Sequence, residues 1–494
     1  MKTTVKQHPE LCLPPSASLR DAMRTMTRSR HGLIAVVAKD RTLLGLLADI
    51  DVRKALLNGV GLTASVTRAM NKRPITVAAG SAPERIAALF RRTQKTHIPV
   101  VDERGRLQGL AELMDYVSIP LHNPVFAGNE WRYVKQCLDT GWVSSAGAFV
   151  TRFERMAARR IGVAHAAATV NGTAALHLAL LAAGVGPGDE VLTPSLTFIA
   201  TPNSAVYLGA VPRFVDCERE TFGMDPVKLE RWLERETRRR GGKTISRSTG
   251  KRVAACVPTH IFGHPARIAS IVAVCRRFAV PVIEDAAESL GSTYRGKATG
   301  SFGLAGCLSF NGNKIITTGG GGMVVTANAK IARTVSHLST QAKKNSATYL
   351  HDAVGYNYRL PNLNAALGCA QMERLDVFLS RKRLVAEQYR KGLQGASGVT
   401  LVWEPREARS NFWLNTVVAS SKHRARALMA RLNDHGLESR PLWTPCHRQP
   451  IFEPLTAGPI EVVDRLWETA INVPSSSDLS LKAVDRVCGL LRKS

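Results

Sequence analysis

An internal repeat of about 64 residues fills the first ~118 positions, and it restricts the architecture of that stretch more tightly than any other feature. Ala35-Val36-Val37 leads into Gly45-Leu46-Leu47-Ala48-Asp49-Ile50-Asp51. Pro99-Val100-Val101 leads into Gly109-Leu110-Ala111-Glu112-Leu113-Met114-Asp115 at the same offsets. Each copy reads as helix, short apolar strand, turn, strand, helix, with the turns at Lys39-Asp40-Arg41 and Glu103-Arg104-Gly105. The last helix of each copy has an acidic residue near its start, where the macrodipole favours negative charge. Residues 70–77 separate the copies.

A chain of 494 residues exceeds one compact core, so further domains follow the repeat. Ser118-Ile119-Pro120-Leu121-His122-Asn123-Pro124 has two prolines and reads as a linker. Beyond it, apolar strand-like runs alternate with helical segments, the pattern of an α/β domain with a mostly parallel sheet. From about residue 375 the pattern changes to amphipathic helices with an antiparallel-type strand at Trp413–Val418, a smaller α+β subdomain. The expected division is 1–118, 119–374 and 375–494.

Bulk composition narrows the class. No apolar run approaches the ~20 residues of a membrane span, and the N-terminal MKTTVKQHPE lacks a signal-peptide core, so a soluble cytoplasmic protein is expected. Nine cysteines lie far apart, with no C-x-x-C pair and no zinc-type Cys/His spacing, so neither a disulfide framework nor a bound metal is expected. The net charge of +28 raises nucleic-acid binding. The basic residues are scattered, however, except at 235–252, and that run has no aromatics on which bases could stack. It reads as a surface loop or hairpin after a helix over Pro226–Glu236, and no nucleic-acid partner is expected.

Three segments carry candidate chemistry. In the first, the strand Ala166–Val170 runs into Asn171-Gly172-Thr173-Ala174 and an apolar helix. Glycine lets a ligand approach the backbone, and a helix N-terminus offers N–H donors to a phosphate. An ordinary turn with an N-cap would look the same. In the second, the apolar strand Val280-Pro281-Val282-Ile283 ends in Glu284-Asp285-Ala286-Ala287-Glu288, and ligands of open α/β sheets bind beyond the carboxyl ends of strands. A carboxylate there can hold a ring nitrogen protonated; an N-cap role for Asp285 is the alternative. In the third, Ser309-Phe310-Asn311-Gly312-Asn313-Lys314-Ile315-Ile316 precedes Gly319–Gly322. A lysine among small and apolar residues, with no acidic neighbour in sequence, is poorly solvated and suited to attack a carbonyl. The glycines are expected to let the backbone approach a cofactor.

In this order the three segments resemble the nucleotide-sugar aminotransferases of the DegT/StrS type, over residues 122–490. The resemblance implies a fold-type-I pyridoxal-phosphate (PLP) transferase: α/β, with a mostly parallel sheet between helices and a small α+β C-terminal subdomain. It implies Lys314 as the lysine that bonds covalently to PLP and then carries protons. Asp285 would pair with the pyridine nitrogen, Phe198 would stack on the ring, and Glu288 would lie near the phenolic oxygen. Gly172, Thr173 and Ser309 would hold the phosphate. Asn357, in Gly355-Tyr356-Asn357-Tyr358-Arg359, would reach the phosphate of a partner subunit in a homodimer with shared active sites. Trp142, Asn313 and His447 sit in segments similar to those lining the sugar-nucleotide site, with His447 facing the diphosphate.

The segments Asn313–Gly322 and Asn411–Thr416 resemble most the members that aminate C4 of a UDP-linked 4-keto-6-deoxy-N-acetylhexosamine for legionaminic acid or bacillosamine-type glycans, with L-glutamate as the implied donor. GDP- or dTDP-linked keto sugars are the alternatives. Related sugar dehydratases carry His where Lys314 stands, so the lysine favours transamination.

The N-terminal repeat resembles a CBS-domain pair, a module that in other proteins often holds adenine nucleotides. That resemblance maps ribose contacts to Asp51 and Asp115, while Ala48 and Glu112 replace its usual Ser/Thr. A packing or dimerisation module is the other reading. A nucleotide-sensing regulator with an inactive PLP-like domain would be expected to lose Lys314 or Asp285, and both are present.

Overall fold

The computed structural model of the chain describes residues 8–29, 31–93, 95–113, 118–344, 349–452, 455 and 458–493. It falls into two compact units, one of residues 1–119 with 433–437 and one of residues 120–432 with 438–494. The division expected at 374/375 is internal to the second unit, between the helices Asn362–Glu373 and Leu375–Leu393.

In the first unit each repeat builds the same motif. Helix Leu19–Ser29 precedes the antiparallel pair Leu33–Val37 and Leu43–Ala48, and helix Asp49–Leu57 follows. Helix Pro83–Thr93 precedes the pair His97–Val101 and Leu107–Glu112. Both pairs shift register at the same repeat position, Val36/Val37 and Val100/Val101. The turns match as well: Arg41 (φ 69°) and Gly105 (φ 75°) occupy equivalent left-handed positions, one filled by a residue that bears the strain and one by the residue that avoids it. Asp51 accepts the Ala48 N–H at 2.9 Å, so the carboxylate matched to a ribose contact closes the start of its own helix. Asp115 lies outside the described residues.

The second unit is built on a mixed sheet. Its strand order is Val211–Val215, Glu190–Pro194, Val253–Cys256, then Ile283–Asp285, Ala305–Ser309, Gly322–Thr326 and His165–Thr169. Parallel bridges Cys256–Val282 and Thr259–Asp285 join the two halves, and Gly322–Thr326 runs antiparallel to both its neighbours. Period-two alternation explains why these strands are apolar throughout. Ala167, Cys307 and Val324 pack on one face with Leu176 and Leu180 of helix Gly172–Ala182. Ala168, Leu308 and Val325 pack on the other with Phe153 of helix Ala148–Ile161.

An antiparallel sheet follows, in the order Val399–Leu401, Asn415–Ala419, Ala470–Val473, Arg440–Pro441. The middle strand begins at Asn415, two residues later than the sequence suggests, because Asn411 Oδ1 takes the Trp413 N–H at 2.8 Å and turns that stretch out of the sheet. The basic run forms the antiparallel hairpin Thr237–Arg240/Lys243–Ser246 after helix Pro226–Glu236. All nine cysteines are free, and eight are buried. Among the described residues no helix is long and apolar enough to cross a membrane.

Candidate functional site

A cavity of about 300 Å³ opens beyond the carboxyl ends of the parallel strands. Gly172, Thr173, Phe198, Asp285, Glu288, Ser309, Asn313 and Lys314 all line it, although they are spread over more than 140 positions of sequence. Convergence of this kind is what the sheet supplies, since each strand delivers its following loop to the same edge.

Asp285 ends the strand Ile283–Asp285 and is buried at 4% exposure. Its Oδ2 accepts the Thr201 hydroxyl at 2.6 Å and its Oδ1 the Ala287 N–H at 3.1 Å. Thr201 in turn meets Thr197, which reaches Thr259, at 2.9 and 3.1 Å. Burial pushes the Asp285 carboxyl above the usual carboxylate range, opposed by the Thr201 and Ala287 hydrogen bonds and the Lys314 charge. A cation set against this carboxylate would relieve the burial penalty. Its neighbour Glu284 instead anchors a loop, accepting the N–H groups of Gly300, Phe302 and Gly303 and meeting His260 at 3.1 Å.

Lys314 is not isolated in space as it is in sequence. Its Nζ lies 3.2 Å from Glu288 Oε1 and 3.9 Å from the Trp413 ring centroid. Glu288 is also fastened by the Phe262 N–H at 2.8 Å, and burial raises its carboxyl against the pull of Lys314. Trp413 is held from two sides. Its indole N–H donates to Asn313 O at 2.6 Å, and the buried amino group of Lys382, whose pKa burial pushes well below the usual lysine range, donates to its carbonyl at 2.6 Å. His122, whose Nδ1 is buried without a partner, has its pKa pushed well down, first of all by burial.

The opposite end of the cavity is a helix N-terminus. Asn171 caps helix Gly172–Ala182 by accepting the Ala174 N–H at 2.7 Å, worth about 1 kcal/mol. The amides of Gly172 and Thr173 belong to the first turn, whose N–H groups lack helical partners and carry the positive dipole end. A Cβ on Gly172 would stand 3.0 Å from Ser309 Cβ, so glycine lets the turn close on the strand Ala305–Ser309. The run Gly319–Gly322 has a different role from the one expected, since none of its residues lines the cavity. A Cβ on Gly322 would lie 2.3 Å from the Asn171 carbonyl, and one on Gly321 would lie 2.2 Å from Thr318 Oγ1. Gly322 thus lets backbone pack on the Asn171–Gly172 backbone, and Gly321 leaves room for the Thr318 side chain.

Three expected residues stand outside this cavity. Trp142 is exposed in a loop, where its carbonyl accepts from Asn362 Nδ2 at 2.7 Å. His447 has both ring nitrogens engaged within the chain, Nδ1 at 2.6 Å from Ser195 Oγ and Nε2 at 3.3 Å from Asp464. Burial lowers its pKa against the opposing Asp464 charge. Asn357 is exposed and does not line the cavity of its own chain.

The walls include Trp413, Trp443 and Thr259, which sequence reading did not single out, and Thr201 lies behind Asp285. The ring of Trp443 sits 5.9 Å from Phe198 and 5.0 Å from Phe262. A Thr pair one helical turn apart and two tryptophans in loops were the available signals.

The chain turn beneath Glu288 depends on Phe262 (φ 54°) and Gly263 (φ 95°). A Cβ on Gly263 would fall 1.9 Å from Asn411 Oδ1 and 2.9 Å from Trp413 N. Gly263→Ala is expected to cost roughly 2–4 kcal/mol through left-handed strain plus overpacking. Chemical denaturation checks this, and a loss below about 1 kcal/mol would mean that the Asn411 turn yields easily.

The buried acid, the opposed lysine and the helix N-terminus match the ring nitrogen, carbonyl and phosphate of PLP. Comparison with known proteins points the same way. The DegT/DnrJ/EryC1/StrS aminotransferase family matches residues 125–492, and the CBS domain matches residues 4–58 and 65–121. The chain is 39% identical over 382 residues to the GDP-perosamine synthase of Caulobacter vibrioides, covering 77% of this chain and 99% of that one. The GDP-perosamine synthase of Escherichia coli O157:H7 is 38% identical over 75% of this chain and 96% of its own. Among solved structures, the aminotransferase TlmJ from Streptoalloteichus hindustanus superposes with a TM-score of 0.69 at 27% identity, over 76% of this chain and 98% of that one.

Proposed function

This chain belongs to the DegT/DnrJ/EryC1/StrS aminotransferase family, and from that premise we propose that it moves an amino group from L-glutamate to C4 of a GDP-linked keto sugar. It is a PLP-dependent nucleotide-sugar aminotransferase preceded by a CBS pair. The GDP-linked acceptor replaces the UDP-linked N-acetylhexosamine suggested by the segments around Asn313 and Asn411. The observation behind that choice is the near full-length identity of 38–39% to two GDP-perosamine synthases.

PLP, when bound, supplies a carbonyl for amines to condense with and a pyridinium that takes up electron density. The chain's own residues do the rest. Lys314 offers the amine and carries the proton at Nζ, held over Trp413 by Glu288. Asp285 keeps positive charge on the ring nitrogen, and Thr201 fixes the direction of its carboxylate. Gly172, Thr173 and Ser309 bind the phosphate at the helix start. Phe198 and Trp443 wall the ring slot. Asn357, exposed and away from its own cavity, serves the phosphate site of a second copy in a homodimer.

The test is a panel of GDP-, UDP- and dTDP-linked keto sugars offered to enzyme whose cofactor carries the amino group, followed by absorbance. The GDP-linked sugar is expected to react at least about tenfold faster than the others, the scale of one lost nucleobase contact. A faster UDP or dTDP acceptor would overturn the sugar assignment while leaving the reaction intact. Conversion of none of the three would count against amino transfer to nucleotide sugars.

A further inference from the structure

The first unit gathers a cluster of side chains that the aminotransferase reaction does not use. Ligand atoms of His8, His31 and Glu112 lie within 4.8 Å of one another. His8 precedes the first strand, His31 stands just before the strand Leu33–Val37 of the first repeat, and Glu112 ends the strand Leu107–Glu112 of the second. The His8 and Glu112 side chains are only 16% and 18% exposed, and the His97 ring borders His31 at 5.6 Å.

Donor and acceptor accounting makes this cluster unusual. His31 Nδ1 lies 2.8 Å from the Ser29 carbonyl, which only accepts, so the proton sits on Nδ1 and Nε2 carries a lone pair. His8 Nδ1 lies 2.9 Å from Glu10 Oε1, and its Nε2 lies 3.0 Å from Glu112 Oε1. Carboxylates also only accept, so the His8 ring satisfies both only with a proton on each nitrogen, or with a proton on Nδ1 and a cation shared by Nε2 and Glu112 in place of the second proton. A backbone carbonyl behind one histidine and a carboxylate behind the other are the partners that orient metal-binding imidazoles.

We propose that His8, His31 and Glu112 form a zinc-type divalent metal site that ties the N-terminal segment to both repeats. Two imidazoles and a carboxylate suit Zn²⁺, with ligand atoms roughly 3.4 Å apart at its usual bond lengths and a fourth position open to water. The three ligand atoms, all within 4.8 Å of one another, lie within about 1.5 Å of that spacing. The ion displaces no covalent group and needs no redox partner, and it crosslinks the N-terminal segment, the first repeat and the second repeat, adding to the His8–Glu112 contact and the strand pairing of Cys12–Leu13 with Leu33–Val37.

The experiment uses the untagged full-length protein, stripped with chelator and titrated with Zn²⁺ and Co²⁺. One equivalent is expected to bind, with Co²⁺ giving the visible bands of a four-coordinate N/O site. Glu112→Gln, which preserves shape, and His31→Ala should each weaken that site at least tenfold while leaving the PLP absorbance unchanged. Zn²⁺ should also raise the melting temperature of the wild-type N-terminal unit and not that of Glu112→Gln. Equal binding by wild type and both variants, or no stoichiometric binding by a folded wild-type chain, overturns the site. Because the readouts are metal binding and unfolding of the N-terminal unit, they stand apart from the sugar assignment.

Discussion

Lys314→Ala should abolish both turnover and borohydride fixation of PLP to the chain, with turnover falling at least about 10³-fold. The size follows from the two functions that meet on one atom. Loss of the amine removes covalent attachment, and loss of the proton carrier by itself costs about 10²–10⁴-fold. Nothing nearby can substitute. Glu288, 3.2 Å away, has no amine, and the buried Lys382 amino group is engaged by the Trp413 and Ser475 carbonyls. Peptide mapping after borohydride reduction is the decisive measurement. If PLP is still fixed to the variant chain, another lysine is the attachment point and the assignment fails. The same variant tests the shared site. Lys314→Ala and Asn357→Ala chains, each inactive alone, should regain about a quarter of wild-type activity when refolded together, because one of the two mixed-dimer sites then holds both native residues. No recovery from mixed dimers would place Asn357 outside the partner's site.

Asp285→Asn is expected to lower turnover about 10²–10³-fold while PLP remains attached through Lys314, the scale for removing one preorganised electrostatic partner. The change keeps shape and deletes charge. Thr201 donates to Asp285 Oδ2 at 2.6 Å, and an amide there can still accept through its oxygen, so the thread through Thr197 to Thr259 survives. What disappears is the negative charge facing the ring nitrogen, together with the second acceptor that takes the Ala287 N–H. A shifted cofactor absorbance with intact borohydride fixation would separate this electronic role from a binding role. Near wild-type turnover would mean that Asp285 caps the following turn through Ala287 N–H and does nothing more. Thr201→Val should cost less, since it removes a hydrogen bond to the carboxylate without removing the carboxylate.

How far the sequence reaches can be judged residue by residue. Strand ends are legible locally: a run of apolar residues that stops at Asp285 or Ser309 marks where a strand delivers its loop. The Asn171 cap is equally local, because a short polar residue before an apolar helix acts within three positions of itself. The 64-residue repeat and its paired turns are visible for the same reason, since a motif copied in sequence folds to a copied motif.

Contacts between distant segments are another matter. Glu288 beside Lys314, Trp413 beneath it and Thr201 against Asp285 join residues 26, 99 and 84 positions apart, which no spacing rule connects. The Gly319–Gly322 run looks like a cofactor cradle in sequence, yet the neighbours its missing side chains make room for are Asn171 and Thr318. His447 looks like a free donor until the fold places Ser195 and Asp464 on its two nitrogens. His8, His31 and Glu112 belong to no recognisable spacing and meet only when the two repeats assemble.

By itself, then, the sequence determined the repeat, the strand ends and the chemistry carried at them, because each depends on residues within a few positions of one another. Which partner each charged or aromatic side chain meets was decided by the tertiary structure alone. Burial and hydrogen-bond satisfaction act through space, and the sheet brings together groups that the chain keeps far apart.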